Sequence, residues 1–341
     1  MHHLLDTLIE TLESGELVIL GGIVRSSGSA PRTSGARMLV RRDGTICGTV
    51  GGGAVEAKCL EAAGEMFAGA VDHKVVEFSM SASALASEGM VCGGAVSILL
   101  QKIDGGKLDF FKRLQTLCRD GGRPMLLTVL PGGLDDDNTV KMMLGDRESV
   151  QQFGPGFYES LVKRAGRVPF LTRVGDAEIF VEPLASPGVV HMVGAGHVAH
   201  ATAKLAAFAG FEVVVIDDRT EFANKDRYPE AREIRVVDSF DSCLGQMSGD
   251  DYVVIVTRGH LHDKDVLAQA LRTDAGYIGM IGSRRKRNVI YDTLRQEGFS
   301  ETDLKRVYSP IGLCIGADTP NEIALSIVGE LVQVRARIGA K

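Results

Sequence analysis

The residues best suited to chemistry in this chain lie on short glycine-containing turns. His191-Met192-Val193-Gly194-Ala195-Gly196-His197-Val198-Ala199 sets Gly-x-Gly-x-x-Ala between an apolar run and a helical pattern. Gly194 permits a tight turn, Gly196 lets the backbone approach a pyrophosphate, and Ala199 keeps the next helix close to the strand. Phosphate would then meet the helix N-terminus, where His197 stands first. A second apolar run, Val213–Ile216, ends in Asp217-Asp218-Arg219. Asp217 lies about twenty residues beyond the glycines, the place of a ribose-binding acid, with Arg219 beside it.

Other stretches offer further anion, thiol or proton chemistry. Gly51-Gly52-Gly53 sets unhindered amides ahead of a helix, and Arg25, Arg32 and Arg37 bring guanidinium forks suited to phosphate or, equally, to solvent. Cys92, just before Gly93-Gly94, combines a soft sulfur with backbone donors that favour thiolate; a buried packing thiol is the competing reading. Thr257-Arg258-Gly259-His260-Leu261-His262-Asp263 follows an apolar strand. His260 suits phosphate contact or proton transfer, while Asp263 reads as a helix N-cap more readily than as a metal ligand with His260 and His262. Gly282-Ser283 precedes Arg284-Arg285-Lys286-Arg287, four cations at a helix start. Cations there oppose the helix dipole, so a bound anion at Ser283 and Arg284 would relieve them; a solvated basic face is the alternative. Thr319-Pro320-Asn321-Glu322 is a capping box.

The elements that must position these residues follow from periodicity. Leu4, Leu5, Leu8, Ile9 and Leu12 recur at helical spacing. Strands are expected at Leu17–Val24, Met38–Arg41 and Thr45–Val50, the last two joined by an Asp43-Gly44 hairpin. Beyond the glycine loop, helix Ala54–Ala68, strands Val75–Phe78 and Ala95–Leu100, helix Leu108–Arg119, strand Pro124–Leu130, run Val140–Leu144, helix Gly156–Ala165 and strand Ala177–Val181 make a mixed α/β domain. Ser186-Pro187-Gly188 breaks structure, so the boundary is placed between residues 1–185 and 186–341. In the second domain, strands near 189–193, 213–216, 234–237, 252–257 and 277–281 alternate with helices His197–Ala209, Asp263–Arg272 and Arg284–Glu297. The fold class is therefore α/β, with a C-terminal Rossmann-type doubly wound parallel sheet and an N-terminal mixed α/β domain.

Composition narrows the partners. With 45% hydrophobic and 24% charged residues the chain should be globular, and its net charge of −6 gives no general attraction to nucleic acid or anionic membrane. Any anion must be held locally. No run reaches membrane-spanning length and no secretory pattern opens the chain, so the expected location is the cytoplasm. Six scattered cysteines without a Cys-x-x-Cys pair read as free thiols.

Taken together, Gly48-Thr49-Val50-Gly51-Gly52-Gly53 with Glu56, Cys92-Gly93-Gly94, His191–Ala199 with Asp217-Asp218-Arg219, Gly279-Met280-Ile281-Gly282-Ser283, and Pro310-Ile311-Gly312-Leu313 through Glu322 resemble the xanthine dehydrogenase accessory factor family of the XdhC/CoxI type, in order and over nearly the whole chain. The resemblance implies a molybdenum cofactor chaperone that holds molybdopterin, supports its sulfuration and inserts it into xanthine dehydrogenase or a related molybdenum hydroxylase. Its partners would be the apo-hydroxylase, a cysteine desulfurase and a second copy of itself in a dimer. Carried over, the glycine turns at 51–53 and 194–196 would bind phosphate and Cys92 would retain the cofactor, touching molybdenum through it. Some CoxI-type relatives have Cys directly after the glycine pair, where this chain has Gly53 and Ala54, which shifts the thiol role to Cys92. An NAD(P)-dependent oxidoreductase, or a scaffold that binds another nucleotide without chemistry, is the rival reading; no hydride-transfer set accompanies the fingerprint.

Overall fold

Helical spacing of Leu4, Leu5, Leu8, Ile9 and Leu12 places all five on the buried face of α1 (His2–Glu13). The computed structural model describes residues 2–28, 34–69, 71–79, 94–119, 122–132, 139–184 and 186–338. The chain divides into two compact units, Met1–Ala185 and Ser186–Lys341.

In the first unit, β1 (Val18–Gly28), β2 (Arg37–Val40), β3 (Ile46–Gly48), β4 (His73–Ser79) and β5 (Gly94–Ile103) form an antiparallel sheet in the order β3-β2-β1-β5-β4. Successive side chains of a strand face opposite ways. Ile19, Ile23, Met38 and Ile98 accordingly pack with Val55, Cys59 and Met66 of α2 (Gly53–Ala68). Val18, Leu20, Leu39 and Ile103 pack with α1 and with Phe111 and Leu114 of α3 (Leu108–Arg119). A second antiparallel sheet, order β7-β6-β9-β8, comprises β6 (Met125–Val129), β7 (Lys141–Leu144), β8 (Phe170–Val174) and β9 (Ala177–Pro183). Phe157 and Leu161 of α4 (Phe157–Arg164) cover it.

One arginine read as an anion fork does something else. Arg37 opens β2 and is 9% exposed; its Nε donates to Oε1 of Glu182 on β9 at 2.8 Å, while Nη2 pairs with Oε2. This corrects the expectation of an open loop arginine, because β2 begins at Arg37 and buries it. Arg25 pairs with Glu178, and Arg32 lies outside the described residues.

The second unit holds six parallel strands: β10 (Val189–Val193), β11 (Glu212–Asp217), β12 (Glu233–Val236), β13 (Asp251–Ile255), β14 (Tyr277–Met280) and the short β15 (Val307–Tyr308). Their order, β12-β11-β10-β13-β14-β15, is that of a doubly wound sheet whose direction of growth reverses at β10. On one face α5 (His197–Phe208) lays Ala199, Ala203 and Ala206 against Met192 and Val215, with Ile327 and Leu331 of α9 (Pro320–Ile338) alongside. On the other, α6 (His260–Leu271), α7 (Arg284–Gln296) and the short α8 (Glu301–Leu304) bury Val266, Leu267, Ile290, Leu294 and Leu304. The capping box at α9 forms as expected: Glu322 accepts from the Thr319 amide at 2.9 Å and its own amide donates to Thr319 Oγ1 at 3.3 Å.

The buried Arg37–Glu182 pair joins the two sheets of the first unit. Removing one partner strands the other charge, so Arg37→Met or Glu182→Leu alone should each cost about 3–5 kcal/mol, whereas the double substitution should cost far less. Chemical-denaturation midpoints of the three variants check this; additive losses would show that the pair is not a coupled unit.

Candidate functional site

The carboxyl ends of β10, β11 and β13 bring together the glycine turn, the acidic pair and the Thr257 loop. The two turn glycines are required for different reasons. Gly194 has φ +108°, and a Cβ there would lie 2.4 Å from the Val256 carbonyl oxygen. No other residue fits. Gly196, by contrast, is the N-cap of α5 with φ −73°, and nothing lies within 4 Å of where its Cβ would point. Neither backbone strain nor packing within this unit demands glycine there, and the first-turn amides of α5 lie just beyond it.

Asp217, at the tip of β11, is 1% exposed. Its Oδ2 accepts from the Ala195 amide at 2.6 Å and from Arg219 Nη2 at 3.0 Å; its Oδ1 accepts from the Arg219 amide at 3.0 Å and Nε at 2.8 Å. Burial alone would raise the Asp217 carboxyl, but the Arg219 side chain and the Ala195 amide outweigh it and hold it below the ordinary value. Both oxygens are thus engaged by the protein. Asp218 is differently placed. Its Oδ2 accepts from Arg258 Nη2 at 2.6 Å, while Oδ1 is buried without a hydrogen bond among the described residues and faces Arg219 Nε at 3.6 Å.

The loop after β13 corrects the reading of Asp263. Helix α6 begins at His260 behind Gly259, which has φ +103° and makes no side-chain cap, so Asp263 falls within the first turn. It is fully buried, where its Oδ1 accepts from Thr257 Oγ1 at 2.6 Å and its Oδ2 pairs with Lys286. Gly282 makes this reach possible: a Cβ there would lie 2.6 Å from Lys286 Cδ, so the lysine stem crosses the glycine. Ser283 caps α7, accepting from the Lys286 amide at 3.2 Å, and Arg284 is exposed beside it. His262 packs on Phe240, with ring centroids 5.1 Å apart. Among the described residues no group of three or more His, Cys, Asp or Glu side chains is arranged to hold a metal ion. No local pattern marks Arg258 or Lys286 as partners of these carboxylates, although one directly follows a strand-end threonine and the other lies in the basic run Arg284–Arg287.

The first unit's glycine loop has three consecutive positive φ values, +131°, +77° and +54° at Gly51, Gly52 and Gly53, which only glycine adopts easily. Its amides hold the chain's own carboxylate. Glu56 Oε1 accepts from the amides of Val50 at 3.2 Å and Gly52 at 3.1 Å and from the Thr49 hydroxyl, and the Gly51 amide donates to Thr49 Oγ1 at 3.1 Å. Cys92 lies outside the described residues. Among the described cysteines, Cys59, Cys118 and Cys243 are buried; burial pushes the Cys59 and Cys243 thiols up to about 11, away from thiolate, while Cys314 is exposed.

Residues 190–331 match the XdhC Rossmann domain and residues 11–79 the XdhC and CoxI family. The chain is 27% identical over 317 residues to the uncharacterized protein YqeB of Escherichia coli, covering 92% of this chain but only 42% of YqeB. It is 24% identical over 345 residues to a Bacillus subtilis protein described as a probable subunit of xanthine dehydrogenase, covering 99% and 98% of the two chains. It is 26% identical over 328 residues to the molybdenum cofactor insertion chaperone PaoD of Escherichia coli, covering 96% and 86%. A crystal structure described as a xanthine dehydrogenase from Bacillus halodurans superposes with a TM-score of 0.78 at 25% identity, over 100% of this chain and 97% of that one. With both halves matched in order and the fold shared from end to end, the chain belongs to the XdhC and CoxI family.

Proposed function

We propose that this protein binds molybdenum cofactor and inserts it into a xanthine dehydrogenase-type hydroxylase, accepting sulfur for the cofactor from a cysteine desulfurase. The observation that carries this reading is Gly196. Neither a positive φ nor a close contact requires glycine there, while a phosphorylated ligand approaching the α5 amides would. The name of the relative PaoD, a molybdenum cofactor insertion chaperone, supports the cargo, and that of the Bacillus subtilis relative supports the recipient.

In this reading each charged group has a task. Asp217 acts through the turn: its carboxylate fixes the Ala195 amide and therefore the angle at which Gly196 and α5 face the crevice. Asp218, whose buried Oδ1 makes only the 3.6 Å ion contact with Arg219, would have to turn outward to accept a ligand hydroxyl, and Arg258 sits against its other oxygen. Thr257, Asp263 and Lys286 form a buried brace beneath the same strand ends. Cys92 supplies the soft ligand that suits a thiophilic metal centre.

Two pairs of variants test the proposal. Gly196→Ala should cost at most about 1 kcal/mol of stability yet weaken retention of molybdenum cofactor, because its methyl enters the phosphate position. Gly194→Ala should instead cost roughly 2–5 kcal/mol through positive-φ strain and collision with Val256. Thermal denaturation and the pterin content of protein purified from cofactor-producing cells separate the two; full pterin retention by a folded Gly196→Ala variant would remove the crevice from the site.

Cys92→Ser keeps side-chain volume and removes softness, so it should lower bound molybdenum and activation of the apo-hydroxylase while leaving nucleotide binding unchanged. Undiminished molybdenum in that variant would return Cys92 to a packing role. Steady turnover of NAD(P)H with a small substrate by the parent protein would favour an oxidoreductase instead.

A further inference from the structure

The sheet of the second unit is covered by helices on both faces, and the two coverings meet solvent differently. On one side the outward residues of α7 include Arg285, Asn288, Asp292 and Arg295, the polar surface expected of a helix that faces water. Val289 is the single large apolar side chain exposed on that helix among the described residues. On the other side α5 and α9 pack together on the sheet and turn apolar side chains outward. Phe208 of α5 is 91% exposed, and Leu325 and Val332 of α9 are 58% and 39% exposed. Arg335 Nη2 donates to the Ala209 carbonyl oxygen at 3.1 Å, which sets the C-terminal end of α5, and Phe208 with it, beside the last turn of α9. Each helix already buries one apolar stripe, Ala199, Ala203 and Ala206 on α5 and Ile327 and Leu331 on α9. The outward residues form a second apolar surface with no core of this chain beneath it, the kind that marks a protein contact.

The outer seam of α9 says what kind of contact. Leu325, Gly329, Val332 and Ala336 follow one another at steps of four, three and four residues, the spacing that keeps one line of a helix against a neighbouring helix. The ends of that seam carry opposite charge. Asp318 and Glu322 are exposed at its N-terminal end and Arg337 at its C-terminal end. The Asp318 carboxylate and the Arg337 guanidinium have no ion-pair partner among the described residues, whereas Glu322 Oε2 accepts from the amides of Asp318 and Thr319. Each sign suits its own helix end, since the dipole favours acids at the start and bases at the finish. Two such seams laid side by side in the same direction would set acid against acid and base against base. Laid in opposite directions, they pair unlike charges at both ends and oppose their dipoles.

We propose that this face pairs with the same face of a second copy of the chain, α9 running antiparallel to its counterpart about a two-fold axis. Such a contact is isologous, so every pair of residues in it occurs twice. Setting Leu325 against the partner's Val332 brings Asp318 and Glu322 to either side of the partner's Arg337. Phe208 extends the apolar area at the edge of the contact, and the polar face of α7 lies on the opposite side of the sheet.

The test is self-association of the full chain, followed by sedimentation velocity between roughly 1 and 100 µM. The parent should dimerise within that range. Leu325→Asp should raise the dimer dissociation constant by roughly 100-fold or more, because each contact is lost twice, while far-UV circular dichroism and the thermal transition of the monomer show that the variant folds. Arg337→Glu should raise it by roughly 10-fold, and adding Asp318→Arg in the same chain should recover most of that loss by exchanging the signs. A parent that stays monomeric throughout overturns the proposal, and if Leu325→Asp then lowers activation of the apo-hydroxylase, the face belongs to that protein. A dimer that both Leu325→Asp and Val332→Asp leave intact is joined elsewhere. A dimer that Arg337→Glu does not weaken, or that the double substitution does not recover, lacks the antiparallel pairing; each of these results overturns the proposal.

Discussion

The second unit's candidate site depends on one buried hydrogen bond, from the Ala195 amide to the Asp217 carboxylate. It links the first turn after β10 to the tip of the neighbouring strand β11, beside the place between β10 and β13 where the growth of the sheet reverses. A buried carboxylate requires partners that offset its lost hydration, and here the amide and Arg219 provide them. With Asp217 so held, Gly194 is pressed onto Val256 and Gly196 is left at the open edge. The turn geometry is therefore an electrostatic consequence as much as a glycine effect.

The same principle separates anion cradles that are already filled from those that remain available. At the Gly51–Gly53 loop the amides of Val50 and Gly52 converge on Glu56, an internal carboxylate at the start of α2 where the helix dipole favours negative charge. The loop is thereby fixed without a ligand. At the N-terminus of α5 no acidic side chain occupies the first turn. A protein with net charge −6 gains nothing from its overall field when it binds an anion, so such local differences decide where phosphate can settle.

Much of this architecture was legible in the sequence because period and punctuation agreed. The Rossmann strands are short apolar runs between glycines, and the helix with Ala199, Ala203 and Ala206 shows its packing face directly. The Asp43-Gly44 hairpin joins β2 to β3 as its turn chemistry requires. β8 escaped notice because Phe170–Val174 is only half-buried, although Gly175-Asp176 after it is a hairpin signal. The site was less legible. Glu182 lies 145 residues from Arg37, and no local pattern could forecast that a loop-like arginine would find it. Asp263 misled for a related reason: a polar residue near a helix start reads as a cap, whereas its partner Lys286 lies on another helix.

Those misreadings share a cause. Sequence shows which charges exist, but only the fold shows which are already neutralised, and a binding site is made by the remainder. Arg37 is consumed by Glu182 and Arg25 shares Glu178, while Arg164 is held by an aromatic ring that takes none of its donors. A stacked arginine loses little further conformational freedom when it grips an anion, so less of the contact energy is offset on binding. Of the three, the arginine with no acidic partner among the described residues is the one whose donors the fold leaves to solvent, and it is the one that the sequence pattern gave no reason to select.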